Sequence, residues 1–117
     1  MSMESDLVTL LKTVCARVYP DLAQTGTAVP YVTWQGIGGE SIRFLDNTDG
    51  GKRETLMQIS VWSSSRLEAL TVIRQIEDLL CASALFQTRP EGGPVSTYEP
   101  DPQLYGCIQR FSILAAK

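Results

Sequence analysis

From Arg53 to Trp62 the chain alternates. Thr55, Met57, Ile59 and Val61 fall on one side of a pleated strand, and Glu54, Gln58 and Ser60 on the other, the pattern of a strand with one covered face. Ser63-Ser64-Ser65 then break the alternation, and Ser65 and Glu68 stand at the spacing of a capping box, which predicts a helix start. Ala69, Val72, Ile73, Ile76, Leu79 and Leu80 follow on one helical face, opposite Arg74, Gln75 and Asp78, so this helix lies on the sheet. Upstream, Leu7, Leu10, Leu11, Val14 and Val18 have the same period. They predict a helix over residues 3 to 17, capped by Ser2 or Ser5 and ended by Tyr19, because Pro20 disfavours helix at the residue before it.

The remaining segments read as strands and turns. Pro30 to Ile37 is rich in β-branched and aromatic residues. Its inward set is Val32 and Trp34, since a buried indole removes the most apolar area from water. Gly38 to Lys52 reads as a hairpin end, with a short strand at Ser41 to Leu45 and a tip from Asp46 to Lys52. After the second helix, Cys81 to Phe86 reads as a frayed continuation and Gln87 to Pro94 as a loop. Val95 to Glu99 makes an edge strand beside Pro100 and Pro102. Leu104 to Leu114 makes the last strand, with Tyr105, Cys107, Phe111 and Ile113 on one face and Gln109 interrupting it. Either a bulge sits near Ile108 to Arg110 or both faces are partly covered. The expected fold is α+β: a two-layer sandwich in αββαββ order, with both helices on one face of a mostly antiparallel sheet of four strands, five at most. The other sheet face mixes Thr33, Gln58, Ser60, Arg110 and Ser112 with Leu56, Trp62 and Ile108, which suits partial contact with another subunit.

Composition narrows the chemistry. The 117 residues fit one domain spanning 1–117, and 44% hydrophobic with 20% charged residues is ordinary for a globular chain. The net charge is −3, without the basic footprint of a nucleic-acid-binding domain. There is no histidine, so the commonest zinc and general-base chemistries lose their main residue. Cys15, Cys81 and Cys107 are widely spaced and read as buried thiols in a reducing compartment. Neither a secretion signal nor a membrane span is expected, which predicts a cytoplasmic protein. Asp46 with Asp49, and Glu99 with Asp101, sit in turns, where acids are usually solvated. Gly36 to Gly39 and Gly50-Gly51-Lys52 lead into no helix and fail the context required of a phosphate loop. Asp46, Asn47, Asp49 and Gly50 lack the closing glutamate of a calcium loop. Lys52-Arg53 near Phe44 could touch a phosphate backbone and Trp34 or Trp62 a base, yet they form no cluster in sequence. No catalytic residue, cofactor site or metal site is expected.

Five segments, taken in order, resemble a known family: Arg17-Val18-Tyr19-Pro20, Pro30-Tyr31-Val32-Thr33-Trp34-Gln35, Leu56-Met57-Gln58-Ile59-Ser60-Val61-Trp62, the helix from Arg66, and Gln109-Arg110-Phe111-Ser112-Ile113. The chain looks like the small tail-completion, or tail-terminator, proteins of long-tailed bacteriophages and their prophages. That resemblance implies a non-enzymatic subunit of a ring, usually hexameric in the assembled tail and compatible with a monomer in solution. The ring would cap the head-proximal end of the tail tube, so its partners would be further copies of itself, the tail tube protein and the head–tail connector protein. It would assemble in the host cytoplasm and reside in the virion tail, with no membrane involved. DNA would pass through the lumen without specific binding, which the mild negative charge permits. A closed heterologous ring needs two different patches per subunit. The open sheet side with Gln58, Ser60 and Trp62 is one candidate. The hairpin end with Ile42, Arg43, Phe44, Asp46, Asp49, Lys52 and Arg53 is the other. Another neck or head–tail joining protein, and a small ligand-binding or accessory domain, remain alternatives.

Overall fold

The computed structural model describes residues 3–24, 26–43, 49–100 and 103–116, with side chains for all of these except 40–43, 49–52 and 116. The order is α1 (Met3–Val14), β1 (Val18–Pro20), β2 (Tyr31–Arg43), β3 (Asp49–Ser63), α2 (Arg66–Ala82), β4 (Gln87–Pro90), β5 (Val95–Pro100) and β6 (Gln103–Ala116). The sheet is mixed and six-stranded, in the order β1-β2-β3-β6-β4, with β5 also on β6. This corrects the expectation of four or five strands in an αββαββ chain. The α+β layering stands, as do the antiparallel β2–β3 and β5–β6 pairings.

Two strands account for the difference. Val18–Pro20, where the first helix was expected to give way to a loop, pairs parallel with Val32–Trp34. The helix stops at Val14 because Arg17 turns the chain. Its carbonyl accepts from the Val32 N–H at 2.9 Å, and its guanidinium donates from Nε to the Pro30 carbonyl and from Nη2 to that of Val29, each at 3.0 Å. Gln87–Pro90, expected as loop, pairs with Leu114–Phe111. β4 and β5 lie along the same side of β6, one after the other, and the Glu91 N–H donating to the Arg110 carbonyl at 2.8 Å carries the ladder between them. The six strands therefore fill five positions across the sheet.

The covered face carries the residues that the alternation placed there. Val32, Met57, Ile59, Val61, Cys107, Phe111 and Ile113 are buried with Leu7 and Leu11 of α1 and Ala69, Ile73, Ile76 and Leu80 of α2 in one cluster, and Trp34 packs against it. Both helices thus lie on one face. The choice of Val32 and Trp34 as the inward set agrees with this, as does a β3–β6 register that runs unbroken from Lys52↔Ala116 to Ser63↔Tyr105. Hence no bulge separates Ile108 from Arg110. Gln109 points inward at 2% exposure, its Nε2 donating to the Glu77 carboxylate at 2.6 Å and to the Gly92 carbonyl at 3.1 Å, and so the α2 face reaches across a polar link to β6.

The bulge lies in β2 instead, where the pairing shifts between Gly36 and Gly38. Past this shift β2 continues through the glycines expected to turn as far as Arg43, and β3 begins at Asp49 instead of Arg53. Gly39 has φ +135°, and a Cβ there would stand 2.2 Å from the Glu54 carbonyl oxygen, so only glycine lets the two strands approach this closely. Fifteen residues of β3 span about 50 Å, which accounts for the long dimension of a molecule measuring 52 × 25 × 24 Å. The radius of gyration, 15.1 Å, exceeds the roughly 13 Å of a compact chain of this length.

At the start of α2 the expected cap forms with a different second half. Ser65 is the N-cap and its Oγ accepts from the Glu68 N–H at 3.4 Å. The Glu68 carboxylate, however, takes the hydrogen bond of the Ser63 hydroxyl, and that hydroxyl in turn accepts from the Ser65 N–H at 3.1 Å. Buried Ser63 thus relays the contact that the glutamate was expected to make itself.

Candidate functional site: the open sheet face

Register places the open face in rows. From the lower end these are Tyr31, Trp62, Gly106 and Thr97; then Thr33, Ser60, Ile108 and Val95; then Gln35, Gln58 and Arg110; then Gly38, Leu56, Ser112 and Arg89. The middle of the face is polar and its lower end apolar and aromatic. Gln58 and Trp62 are half-buried, and Gln35 and Arg110 exposed. Ser60, nominated as an interface residue, is buried with Thr33 and Ser112 at 6–8% exposure. Small side chains in mid-sheet sit below the tops of their larger neighbours, so they shape this face and do not project from it.

Gly106 makes room for the tryptophan. A Cβ at Gly106 would come within 2.8 Å of the Trp62 ring and of the Thr97 methyl group, so the indole lies flat across β6. Beside it, the chain from β1 to β2 folds over the sheet. Together they enclose a concavity of about 600 Å³ lined by Leu22, Ala23, Gln24, Gly26, Thr27, Ala28, Val29, Tyr31, Thr33, Trp62, Glu99 and Leu104. The Arg17 guanidinium fixes the far end of this roof through the Val29 and Pro30 carbonyls. Tyr19 packs edge-on against Tyr31, ring centres 6.2 Å apart, and burial pushes the Tyr31 phenol up from its ordinary value. Nothing in the sequence pointed to this concavity, because the roof residues have no periodicity and meet the sheet only in three dimensions.

The other nominated patch is separate. Arg53 is exposed, on the side of β3 shared with Thr55 and Met57 and so away from Gln58 and Trp62. Nine strand residues put it about 30 Å from Trp62. Ile42 and Arg43 belong to the backbone of β2 and Asp49 and Lys52 to that of β3, with Arg43 opposite Asp49. Phe44 and Asp46 lie outside the described residues, as does Asp101. Glu99 lines the concavity. Among the described residues no group of three or more His, Cys, Asp or Glu is placed to hold a metal, and no helix is long and apolar enough to cross a membrane. Of the three thiols, Cys15 and Cys107 are buried as expected. Cys81 is exposed, because it follows Leu80 onto the solvent side of α2.

By fold and surface the molecule is a small two-layer α+β protein with one sheet face sealed by helices and the other left largely open. The chain belongs to the family of the phage tail completion protein gp17, whose family model matches residues 3–116. That family gives it a structural role in completing the phage tail. No curated protein matches the chain.

Proposed function

We propose that the protein is a non-enzymatic subunit of a closed ring, usually a hexamer, that caps the head-proximal end of the tail tube and presents a surface to the head–tail connector. The observation that carries this reading is the family match over nearly the whole chain. A half-open sheet face and a strand pair that carries Arg53 and the hairpin end about 30 Å from Trp62 support it by supplying two different patches on one subunit. The open sheet face, from the polar band at Gln58 and Ser60 to Trp62, makes one ring contact, and the hairpin end from Ile42 to Arg53 reaches the tube or the lumen. DNA passes the ring without specific binding. Assembly takes place in the host cytoplasm.

Multi-angle light scattering over a concentration series, with and without tail-tube protein, is expected to find a species several times the 12.9 kDa chain. A strict monomer in every mixture overturns the ring. Electron microscopy of particles lacking the chain then fixes the layer: overlong, headless tubes mean termination, whereas tubes of normal length that fail to join heads mean a joining role. The concavity of about 600 Å³ has the size of a small-molecule pocket and favours a ligand-binding module as the second reading. Tight saturation by a metabolite, with no ring, would select it.

A further inference from the structure

We propose that the concavity at the lower end of the open face receives an arginine side chain carried by a partner protein of the tail. The inference deepens the ring-subunit reading and rests on it for the existence of a partner; the chemistry is that of this chain alone.

The lining has three parts. Tyr31 and Trp62 are cross-strand partners on the open face, and both rings line the concavity. Leu22, Val29 and Leu104 give an apolar wall. Glu99, opposite Leu104 on the edge strand β5, gives the one charge among the described lining residues, none of which is a lysine or arginine. A guanidinium on a three-carbon stem matches all three: the stem lies along the apolar wall, the planar head stacks on the aromatic faces, and its N–H groups meet the carboxylate. An anion would meet the repulsion of Glu99, and a purely apolar group would leave that carboxylate to be desolvated without a partner.

The source is a protein because of the rim. Leu22 stands on the roof at 86% exposure, the most exposed of the large hydrophobic residues described. A free cation entering the concavity leaves Leu22 in water, whereas a protein surface that delivers an arginine covers it. Glu99 is exposed, so a long side chain reaches it from outside without opening the fold.

The test is a titration of the full chain by two-dimensional NMR, with Nα-acetyl-arginine amide as probe and the citrulline and norleucine amides as controls. Expected are saturable shifts of the Trp62 indole N–H and of the Val29, Glu99 and Leu104 amides, with a dissociation constant on the order of millimolar. Glu99→Gln should weaken binding about tenfold, with core resonances unmoved. An equal response to citrulline or norleucine, or no saturable shift at about 50 mM probe, overturns the assignment. Since the titration needs only the isolated chain, its outcome is independent of ring formation. Binding by a chain that never forms rings would leave this site and end the ring reading, and rings with an unresponsive concavity would do the reverse.

Discussion

Single residues carry constraints that periodicity cannot express. Gly106 is one: it sits in a strand, where glycine ordinarily weakens the sheet, because the Trp62 ring occupies the space of its side chain. Gly106→Ala should therefore cost about 1–3 kcal/mol in denaturant unfolding, and the accompanying change in tryptophan fluorescence should report a displaced indole. Gln109 is another, a polar residue on an apolar face held by Glu77 and Gly92. Glu77→Ala removes the shorter of its two bonds and should lower stability by about 1–3 kcal/mol. Cys81 is the exposed thiol among the three. Partial burial first, then the charges of Glu77 and Asp78, push its pKa up, so at neutral pH less of it is thiolate. Alkylation followed by mass spectrometry should modify Cys81 ahead of Cys15 and Cys107. It should do so more slowly than a free thiol, with a rate that climbs as pH approaches the raised pKa.

At the scale of elements, the helices and the central strand were legible because each has a strong period and a definite start: Ser65 before α2, and the alternation from Thr55 to Val61 in β3. β1 and β4 were not. Val18–Pro20 and Gln87–Pro90 are too short for alternation to register and contain proline, which argues against strand in isolation and is tolerated at the sheet edge that each occupies. The glycines of β2 misled for a related reason. Gly38 and Gly39 read as turn, yet with Gly36 they serve a bulge and a close approach of two strands. Gly39→Ala would drive a Cβ into the Glu54 carbonyl and, at φ +135°, should cost about 2 kcal/mol or more. Hydrogen exchange should show the loss concentrated in the upper β2–β3 ladder, with α2 protected as before. Arg17→Ala, by removing two bonds to the β1–β2 connection, should speed exchange of the roof amides from Leu22 to Val29 while leaving β3 unchanged.

At the scale of the whole molecule, one face is finished and the other is not. The helices close one side of the sheet with a continuous apolar cluster. The other side is left with a polar band at Gln35, Gln58 and Arg110 and an aromatic end under the roof. Charge reversal in that band separates folding from assembly. Arg110→Glu should change unfolding free energy by no more than about 0.5 kcal/mol, since this exposed side chain holds no part of the core, but should reduce ring formation with tail-tube protein in light scattering. Unchanged assembly would remove the band from the contact surface.

The sequence by itself determined the two helices, the strands of the central sheet, the face each buries and the family to which the chain belongs. These depend on local period, on caps and on short motifs that any neighbouring fold would leave readable. Tertiary structure alone decided which short segments join the sheet edges, that Ser60 sits below the surface its neighbours form, and that a loop, two aromatic rings and a glutamate from far apart in the chain enclose one space. Such features arise from packing between distant residues, and packing leaves no period in the chain to read.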